Sequence, residues 1–384
     1  MEQGDGVLTV TPPSFRFDIN IEEDLIEEVA RMVGYENLPT TKPLAPIAPK
    51  LRAENRRSQF AVRRALADLG YQETINFSFV EAAWEKDLAG NANPIQLLNP
   101  IASQLSVMRS SLIGSLMQVL KFNADRKAER VRVFELGRVF LKDDSVVDSD
   151  TTVKGFYQPM RVAGLAWGAG EQLQWGRAEA KVDFYDVKGD VEALLAPRKP
   201  VFEPAEHPAM HPGRCARALL DGQSIGFIGE LHPQWRQQWD LAQAPVLFEL
   251  ELDAVLAREV PVFKPVAKHQ AVERDIAVVV NEKATHAQLM QAVEAAQTGG
   301  LLRSAVLFDV FRPKALKAGE TAAPGALAQD EKSLAVRLTL GNDDSSLTDV
   351  QIEQAVQAVL EQLQQRLGAV SYTHLTLPTS DLVE

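Results

Sequence analysis

The sequence has almost no cysteine. Cys215 is the one cysteine in 384 residues, so no disulfide can form within the chain. A run of about 18 apolar residues, the length that marks a membrane-spanning helix, is also lacking, and the N-terminus has no secretory-signal pattern. We therefore expect a cytoplasmic protein with no membrane role.

An excess of positive charge is the second missing feature. The chain carries 40 Lys and Arg against 52 Asp and Glu, which gives a formal net charge of −12. Polybasic nucleic-acid binders have the opposite balance, so any contact with RNA must be local. The sequence also lacks the glycine-rich loop with Lys and Ser or Thr that binds phosphates in P-loop enzymes.

What is present is enough apolar material for two or three domains, since 46% of the residues are hydrophobic. Residues 7–19 favour an extended chain. Asn20, with an acid three positions later, predicts a helix start, and the helix should run over 21–33 to a glycine stop. The proline-rich stretch 37–50 predicts a linker and a domain boundary near residue 50.

Residues 50–260 mix helix-like and strand-like segments. Residues 52–70 carry an apolar stripe that includes Phe60 and Leu66, which predicts an amphipathic helix. Strand-like segments such as "ETINFSFV", "VRVFELGRVFL" and "MRVAGLAWG" are interspersed with helical ones, and Asp221 with the following glycine predicts a hairpin turn. We expect an α+β domain with an antiparallel sheet.

Residues 263–369 follow a different order of strand, helix, two strands and helix. That order predicts a ferredoxin-like βαββαβ domain. The insert 315–331 is rich in Ala, Gly, Pro and Glu and is expected to be a mobile loop. Residues 370–384 do not continue the last helix and contribute no evident strand, so we expect a foreign tail outside the fold.

Four acids crowd the start of the first helix. Asp24, Glu27 and Glu28 lie at i, i+3 and i+4, so they share one helix face, and Asp18 can come near it. Like charges at this spacing repel, and the helix dipole offsets only part of the repulsion. Two explanations stay open: a solvated acidic face, or a site for a hard cation such as Mg²⁺.

The segment "PPSFRFDINIEEDLIEEVARMVGYENLP" resembles the end of the metal-binding module in the beta subunit of bacterial phenylalanyl-tRNA synthetase. The resemblance continues through "NPIASQLSVMRSSLIGSLMQVLKFN", "FELGRVF", "HPAMHPGRCA", "VERDIAVVV" and "FDVF", and so covers nearly the whole chain. It implies three parts: the end of a winged-helix-like metal-binding module (1–45), a class II synthetase-like domain without catalysis (50–260), and a ferredoxin-fold anticodon-binding domain (263–369).

The resemblance also implies a metal site and partners. Asp18, Asp24, Glu27 and Glu28 would hold a Mg²⁺ ion shared with an alpha subunit. Two alpha and two beta chains would form the enzyme, which uses ATP to join phenylalanine to tRNA(Phe). The catalytic residues would belong to the alpha subunit, and none is expected in this chain.

The motif "FDVF" carries the implied contact with the tRNA anticodon. Asp309 and Phe311 alternate with Phe308 and Val310 along a strand, so we expect the first two to share one face. An exposed ring can stack on an unpaired base, and a carboxylate can accept hydrogen bonds from guanine, the first anticodon base of tRNA(Phe). The alternative is that Phe311 is a core residue and Asp309 a solvated one.

Basic residues near the strand ends are expected to meet phosphates. They are Arg312 and Lys314, with Arg303, Lys317 and Lys332 as weaker candidates. A basic rim that only aids solubility is the alternative. For the whole chain, the alternative function is a stand-alone RNA-binding or scaffold protein with a synthetase-like fold.

Two further pairs of residues are poor candidates for chemistry. His207 and His211 are four apart, but each is followed by proline, so a zinc site on one helix face is not expected. Ser110 and Ser111 have no nearby His and Asp partners, so a serine hydrolase is not expected either.

Overall fold

The computed structural model describes residues 2–4, 6–47, 51, 53–263, 266–313 and 327–371. The chain divides into two compact units, Met1–Val260 and Pro261–Glu384. The division lies where the sequence pattern changes.

The first unit begins with a small hairpin and a helix. Strand β1 (Glu2–Gly4) pairs antiparallel with β2 (Val7–Thr9), and helix α1 spans Glu22–Val33 before a 3₁₀ turn at Tyr35–Asn37. The predicted helix is confirmed to within one residue. The prediction of Asn20 as its N-cap is wrong, because Ile21 occupies that position and the Asn20 side chain donates to Phe17 O at 3.1 Å.

The rest of the first unit mixes strands and helices. Its strands are β3 (Gln72–Glu73), β4 (Phe79–Val80), β5 (Val107–Met108), β6 (Arg130–Arg138), β7 (Leu141–Lys142), β8 (Phe156–Tyr157), β9 (Met160–Gly168), β10 (Val201–Pro204), β11 (Met210–Leu220), β12 (Gln223–Leu231) and β13 (Val246–Glu251). Its helices are α2 (Gln59–Asp68), α3 (Ala82–Asp87), α4 (Ile113–Ala124), α5 (Phe184–Leu195), α6 (Pro233–Gln238) and α7 (Leu252–Leu256), with a 3₁₀ turn at Ser103–Leu105.

Seven of these strands form one sheet in the order β10-β11-β12-β13-β9-β6-β3. Neighbours are antiparallel except β3, which is parallel to β6. Successive residues alternate between two cores: Phe134 packs in the cluster that includes residues of α2, α5 and α7, and Val133 packs in the cluster of α4. The sheet is therefore buried on both faces, and the predicted α+β class is confirmed.

Two local predictions in this unit have different outcomes. The hairpin is confirmed, because Leu220 pairs with Gln223 across the turn. The two turn residues, Asp221 and Gly222, both have the positive φ of a type I′ turn. The helix predicted over 52–70 begins only at Gln59, where Ser58 Oγ accepts from the backbone N–H of residue 61 at 3.2 Å. Leu66 is buried as predicted, but Phe60 is exposed, and Val62 occupies the core instead.

Among the described residues of the first unit, three glutamates are buried, and each is hydrogen-bonded. The partners are Arg109 Nη1 at 2.8 Å for Glu135, Ser110 N at 2.9 Å for Glu85, and Arg161 Nη1 at 2.9 Å for Glu249. Burial raises the pKa of Glu85, since desolvation disfavours its charged form. These contacts are what makes buried carboxylates tolerable in a core.

The second unit has the predicted ferredoxin-like order. It contains β14 (Val272–Asn281), α8 (His286–Glu294), β15 (Leu302–Phe311), β16 (Glu331–Leu340), α9 (Asp349–Leu367) and β17 (Val370–Ser371). The strands form an antiparallel sheet in the order β15-β16-β14-β17. Gly368 ends α9 in the left-handed conformation (φ 64°), which costs glycine little.

The end of the second unit differs from the prediction by two residues. Val370 and Ser371 pair with Val279 and Val278, so they belong to the sheet and not to the predicted foreign tail. The sequence around Val370 could not reveal this pairing, because the partner strand β14 lies far earlier in the chain. The rest of the predicted tail, 372–384, lies outside the described residues, as does most of the predicted loop 315–331.

The buried Arg109–Glu135 pair gives a stability prediction. Glu135→Ala leaves the Arg109 charge buried without its partner, so the free energy of unfolding should fall by about 3–5 kcal/mol. Urea unfolding followed by tryptophan fluorescence measures this loss, because all five tryptophans lie in the first unit. Asp125→Ala, which breaks an exposed pair with Lys121, is the control and should change little. An equal loss in the two variants would contradict the expectation.

Candidate nucleic-acid interface

Among the described residues of the second unit, helices cover one face of the sheet and leave the other uncovered. The core between sheet and helices is formed by Val278 and Val280 of β14, Leu334, Val336 and Leu338 of β16, Leu289 and Val293 of α8, and Val359 and Leu363 of α9. Side chains that alternate with these strand residues point the other way. We call this second surface the outer face: Glu273, Asp275 and Ala277 of β14, Ser333, Ala335 and Arg337 of β16, and Val306, Phe308, Asp309 and Phe311 of β15.

The register of β15 places Asp309 and Phe311 on the outer face. Asp309 lies opposite Ala335 and Phe311 lies opposite Ser333, and directly paired residues share a face of an antiparallel sheet. Phe311 is 59% exposed, so the alternative that it is a core residue is wrong. The prediction that Asp309 and Phe311 share one face is confirmed, whereas their role in binding tRNA stays a prediction.

Phe308 does not lie where simple alternation predicted. The register shifts between Leu307 and Asp309, so Phe308 is the extra residue of a β-bulge. The guanidinium carbon of Arg337 lies 5.4 Å from the centroid of the Phe308 ring, which puts the ring on the outer face as well. A bulge depends on the pairing of two strands, so the pattern of one strand could not reveal it.

Arg337 is held firmly at the centre of the outer face. Its Nε and Nη2 donate to the two carboxylate oxygens of Asp275 at 2.8 and 2.9 Å, and Nη1 lies 3.3 Å from Glu273. The hydrogen bond from Arg337 lowers the pKa of Asp275. Such two-point contacts fix the plane of a guanidinium group and compensate its charge.

The basic residues predicted to meet phosphates are mostly engaged within the chain. Arg312 Nε lies 2.8 Å from Glu282, and Arg303 Nη2 lies 2.8 Å from Asp343. Lys332 is buried on the helix-covered face, where it donates to the carbonyl oxygen of Glu282 at 2.7 Å, so it is not exposed as a contact with phosphate would require. The remaining candidates, Lys314 and Lys317, lie outside the described residues.

The acidic helix start is organised by arginines that the predictions overlooked. Arg16 binds Asp18 through two hydrogen bonds, at 3.2 and 3.0 Å, and also binds Glu28. Arg31 binds the other carboxylate oxygen of Glu28. These arginines lower the pKa of Glu28 to about 2. Arg16 stands two positions before Asp18 in an extended segment, and this spacing was the signal that could have revealed the contact.

Asp24 has a different task from its neighbours. Its Oδ2 accepts hydrogen bonds from the backbone N–H groups of Asn20 and Ile21, at 2.8 and 3.0 Å, and so closes the helix start. No group of three or more Asp, Glu, His or Cys side chains is arranged to hold a metal ion in the part of the chain that the structure describes. The donor oxygens suit Mg²⁺ chemically, but the arrangement around Arg16 does not form a cage for it.

Polar residues in the seven-stranded sheet unit serve internal contacts. Arg132 lies in the segment that resembles a class II strand motif. Its guanidinium group binds Asp190, and the guanidinium carbon lies 4.6 Å from the centroid of the Tyr71 ring. His207 Nδ1 accepts from Ala209 N at 3.2 Å, and burial lowers its pKa. The hydroxyl groups of Ser110 and Ser111 bind Glu85 and Glu249. These side chains stabilise the fold.

Three family models match successive parts of the chain. The tRNA synthetase B5 domain matches residues 1–35, the phenylalanyl tRNA synthetase beta chain CLM domain matches 38–252, and the ferredoxin-fold anticodon binding domain matches 267–371. Among the described residues, every helix is too short or too polar to cross a bilayer.

Curated relatives match almost the whole chain. It is 52% identical over 361 residues to the phenylalanine–tRNA ligase beta subunit of Cupriavidus pinatubonensis, which covers 93% of this chain and 43% of the relative. The beta subunit of Ralstonia nicotianae is 51% identical, and the match covers 94% of this chain and 44% of that relative. The beta subunit of Burkholderia pseudomallei is 49% identical, and the match covers 96% of this chain and 45% of that relative. The chain thus spans less than half the length of these relatives. It belongs to the family of phenylalanyl-tRNA synthetase beta chains.

Proposed function

We propose that the chain acts as part of a phenylalanine–tRNA ligase, in which it binds tRNA(Phe) through the outer face. The observation that carries this proposal is an aromatic ring and a carboxylate, Phe311 and Asp309, side by side on a sheet face that its helices leave open. The same residues fall within the match to the anticodon-binding family model.

The chemistry of these two side chains suits a guanine base. They are two residues apart on one face, which places them about 7 Å apart along the strand. A base stacked on Phe311 therefore brings its edge within reach of Asp309, whose carboxylate accepts hydrogen bonds from the N–H groups of guanine. Guanine is the first anticodon base of tRNA(Phe).

The charges of the outer face favour contact with bases over contact with phosphates. Arg337 and Arg312 are each paired with acids, and the chain carries a net charge of −12. A phosphate that approached these arginines would have to displace a carboxylate. We propose that phosphate contacts from Arg312 and Lys314 are secondary to base contacts.

The bond-forming chemistry belongs, in this proposal, to a companion alpha subunit. Phosphoryl transfer from ATP needs cations free to face the triphosphate, whereas Arg109, Arg132 and Arg161 are engaged with buried or half-buried acids. The seven-stranded sheet unit would supply framework for an assembly of two alpha and two beta chains in the cytoplasm. Capture of an alpha subunit by the tagged chain separates this function from that of a stand-alone RNA-binding protein.

Mg²⁺ binding at the acidic helix start would have to compete with Arg16. Both oxygens of Asp18 and one oxygen of Glu28 are bound to this guanidinium. We propose that Asp18, Asp24, Glu27 and Glu28 can meet a shared ion in the assembled ligase only after Arg16 is released. In the chain alone, Arg16 is the counter-ion.

The RNA-binding proposal predicts the effect of Phe311→Ala. Loss of base stacking should weaken binding of the full chain to an anticodon stem-loop of tRNA(Phe) by about 1–3 kcal/mol, measured by fluorescence anisotropy. Asp309→Ala should reduce the preference for guanine over adenine at the first anticodon position. Val350→Ala, an exposed change on α9, is the control. Equal affinity of the Phe311 variant and this control would contradict the proposal.

The arginine contacts predict the titration of Glu28. In the chain alone its pKa should be about 2, and Arg16→Gln should raise it part of the way towards the ordinary value of about 4.3. Glutamate-selective ¹³C NMR measures this titration, with Arg64→Gln on helix α2 as the control. Millimolar Mg²⁺ should leave the Glu28 carboxyl signal of the unmodified chain unchanged at neutral pH. A saturable shift with Mg²⁺ would show that the ion displaces Arg16 without a partner subunit.

A further inference from the structure

We infer that Phe308, braced by Arg337, is a second base-stacking surface on the outer face, which receives the nucleotide next to the one read by Asp309 and Phe311. This inference rests on the proposed binding of the tRNA anticodon. It assigns a specificity-determining position that simple strand alternation would have placed in the core.

The bulge in β15 is the first observation that supports this role. Counted back from Asp309 and Phe311, regular alternation would place Phe308 with Val310 on the face covered by α8 and α9. The extra residue instead turns the ring outward, where it is 52% exposed. Bulges are over-represented at sheet edges and next to active sites, where they re-aim a side chain.

The bracing of Phe308 is the second observation. The Arg337 guanidinium lies over the ring, and Asp275 fixes the orientation of that guanidinium from the neighbouring strand β14. Arg337 therefore occupies one face of the ring, and the exposed part of the ring is available to a planar ligand. A ring held in this way loses little conformational freedom when a base stacks on it.

The spacing of the two rings is the third observation. Phe308 and Phe311 are three positions apart on one strand, so about 10 Å at most separates their attachment points. Both rings lie on the outer face of a four-stranded sheet, the arrangement with which RNA-recognition domains stack two or three successive bases. The fit is to adjacent unpaired bases of a single-stranded loop.

The surrounding charge argues against a phosphate or an acidic peptide as the occupant. The residues that define the outer face include three acids, Glu273, Asp275 and Asp309, and one basic residue, Arg337. This excess of negative charge repels anions. An uncharged π-face of a nucleobase meets no such penalty. We propose that the base stacked on Phe308 is the second anticodon base, an adenine in the anticodon GAA.

The test is a double-mutant cycle between Phe308 and that base. Full-length chain carrying Phe308→Leu, which keeps apolar bulk but removes the π-face, should bind the anticodon stem-loop about 5- to 150-fold more weakly. A stem-loop with an abasic second anticodon position should lose a similar factor with the unmodified chain. The Phe308→Leu chain should bind the abasic stem-loop only slightly more weakly than either change alone predicts, because both changes remove the same ring–base contact.

Two matched variants keep the test decisive. Phe308→Tyr should retain binding, since stacking survives. Phe122→Ala removes an exposed ring from α4 of the first unit, where the Arg126 guanidinium carbon lies 3.4 Å from the ring centroid, and should leave binding unchanged. Circular dichroism and thermal unfolding check that each variant is folded.

The outcomes separate this inference from the function on which it rests. If Phe311→Ala weakens binding and Phe308→Leu matches the Phe122 control, the second stacking surface is wrong and the proposed function stands. Additive losses from Phe308→Leu and the abasic site would also overturn the inference, since the ring would then act elsewhere. If the unmodified chain does not bind the stem-loop at all, both proposals fail together.

Discussion

One-sided burial of the C-terminal sheet is the constraint on which the proposed recognition depends. Helices α8 and α9 cover the face that carries Leu334 and Val336. The strand residues that alternate with these, such as Ala335, therefore point to the outer face. Antiparallel sheets with one open face usually present polar side chains there. Here the edge strand β15 presents Val306, Phe308 and Phe311, and exposed apolar groups of this kind mark a surface built for contact.

Charge compensation is the common theme elsewhere in the described chain. In the first unit, Glu135 and Glu249 are balanced by arginines within the core, and Glu28 is balanced at the helix start by Arg16 and Arg31. In the second unit, Asp275 balances Arg337. Because these charges are satisfied internally, they contribute little attraction for a distant polyanion. In the proposed function, recognition of RNA must then come from shape, stacking and base edges at short range.

Periodic and local features were predictable from the sequence. Helix α1, the turn at Asp221, the ferredoxin-like order and the shared face of Asp309 and Phe311 all follow from turn chemistry, alternation or element order. The features that escaped prediction depend on partners distant in the chain or on long side chains. The bulge at Phe308 arises from pairing with β16, and the strand at Val370 from pairing with β14. The acidic cluster looked unbalanced because spacing within a helix cannot show that Arg16 reaches across to Glu28.

We propose that RNA meets the outer face of the sheet in the second unit. Ultraviolet cross-linking of the full chain to an anticodon stem-loop, followed by mass spectrometry of the cross-linked peptides, tests it most directly. Cross-links should concentrate in β15, at Phe308 and Phe311. Cross-links concentrated on α8 and α9, or in the seven-stranded sheet unit, would contradict it.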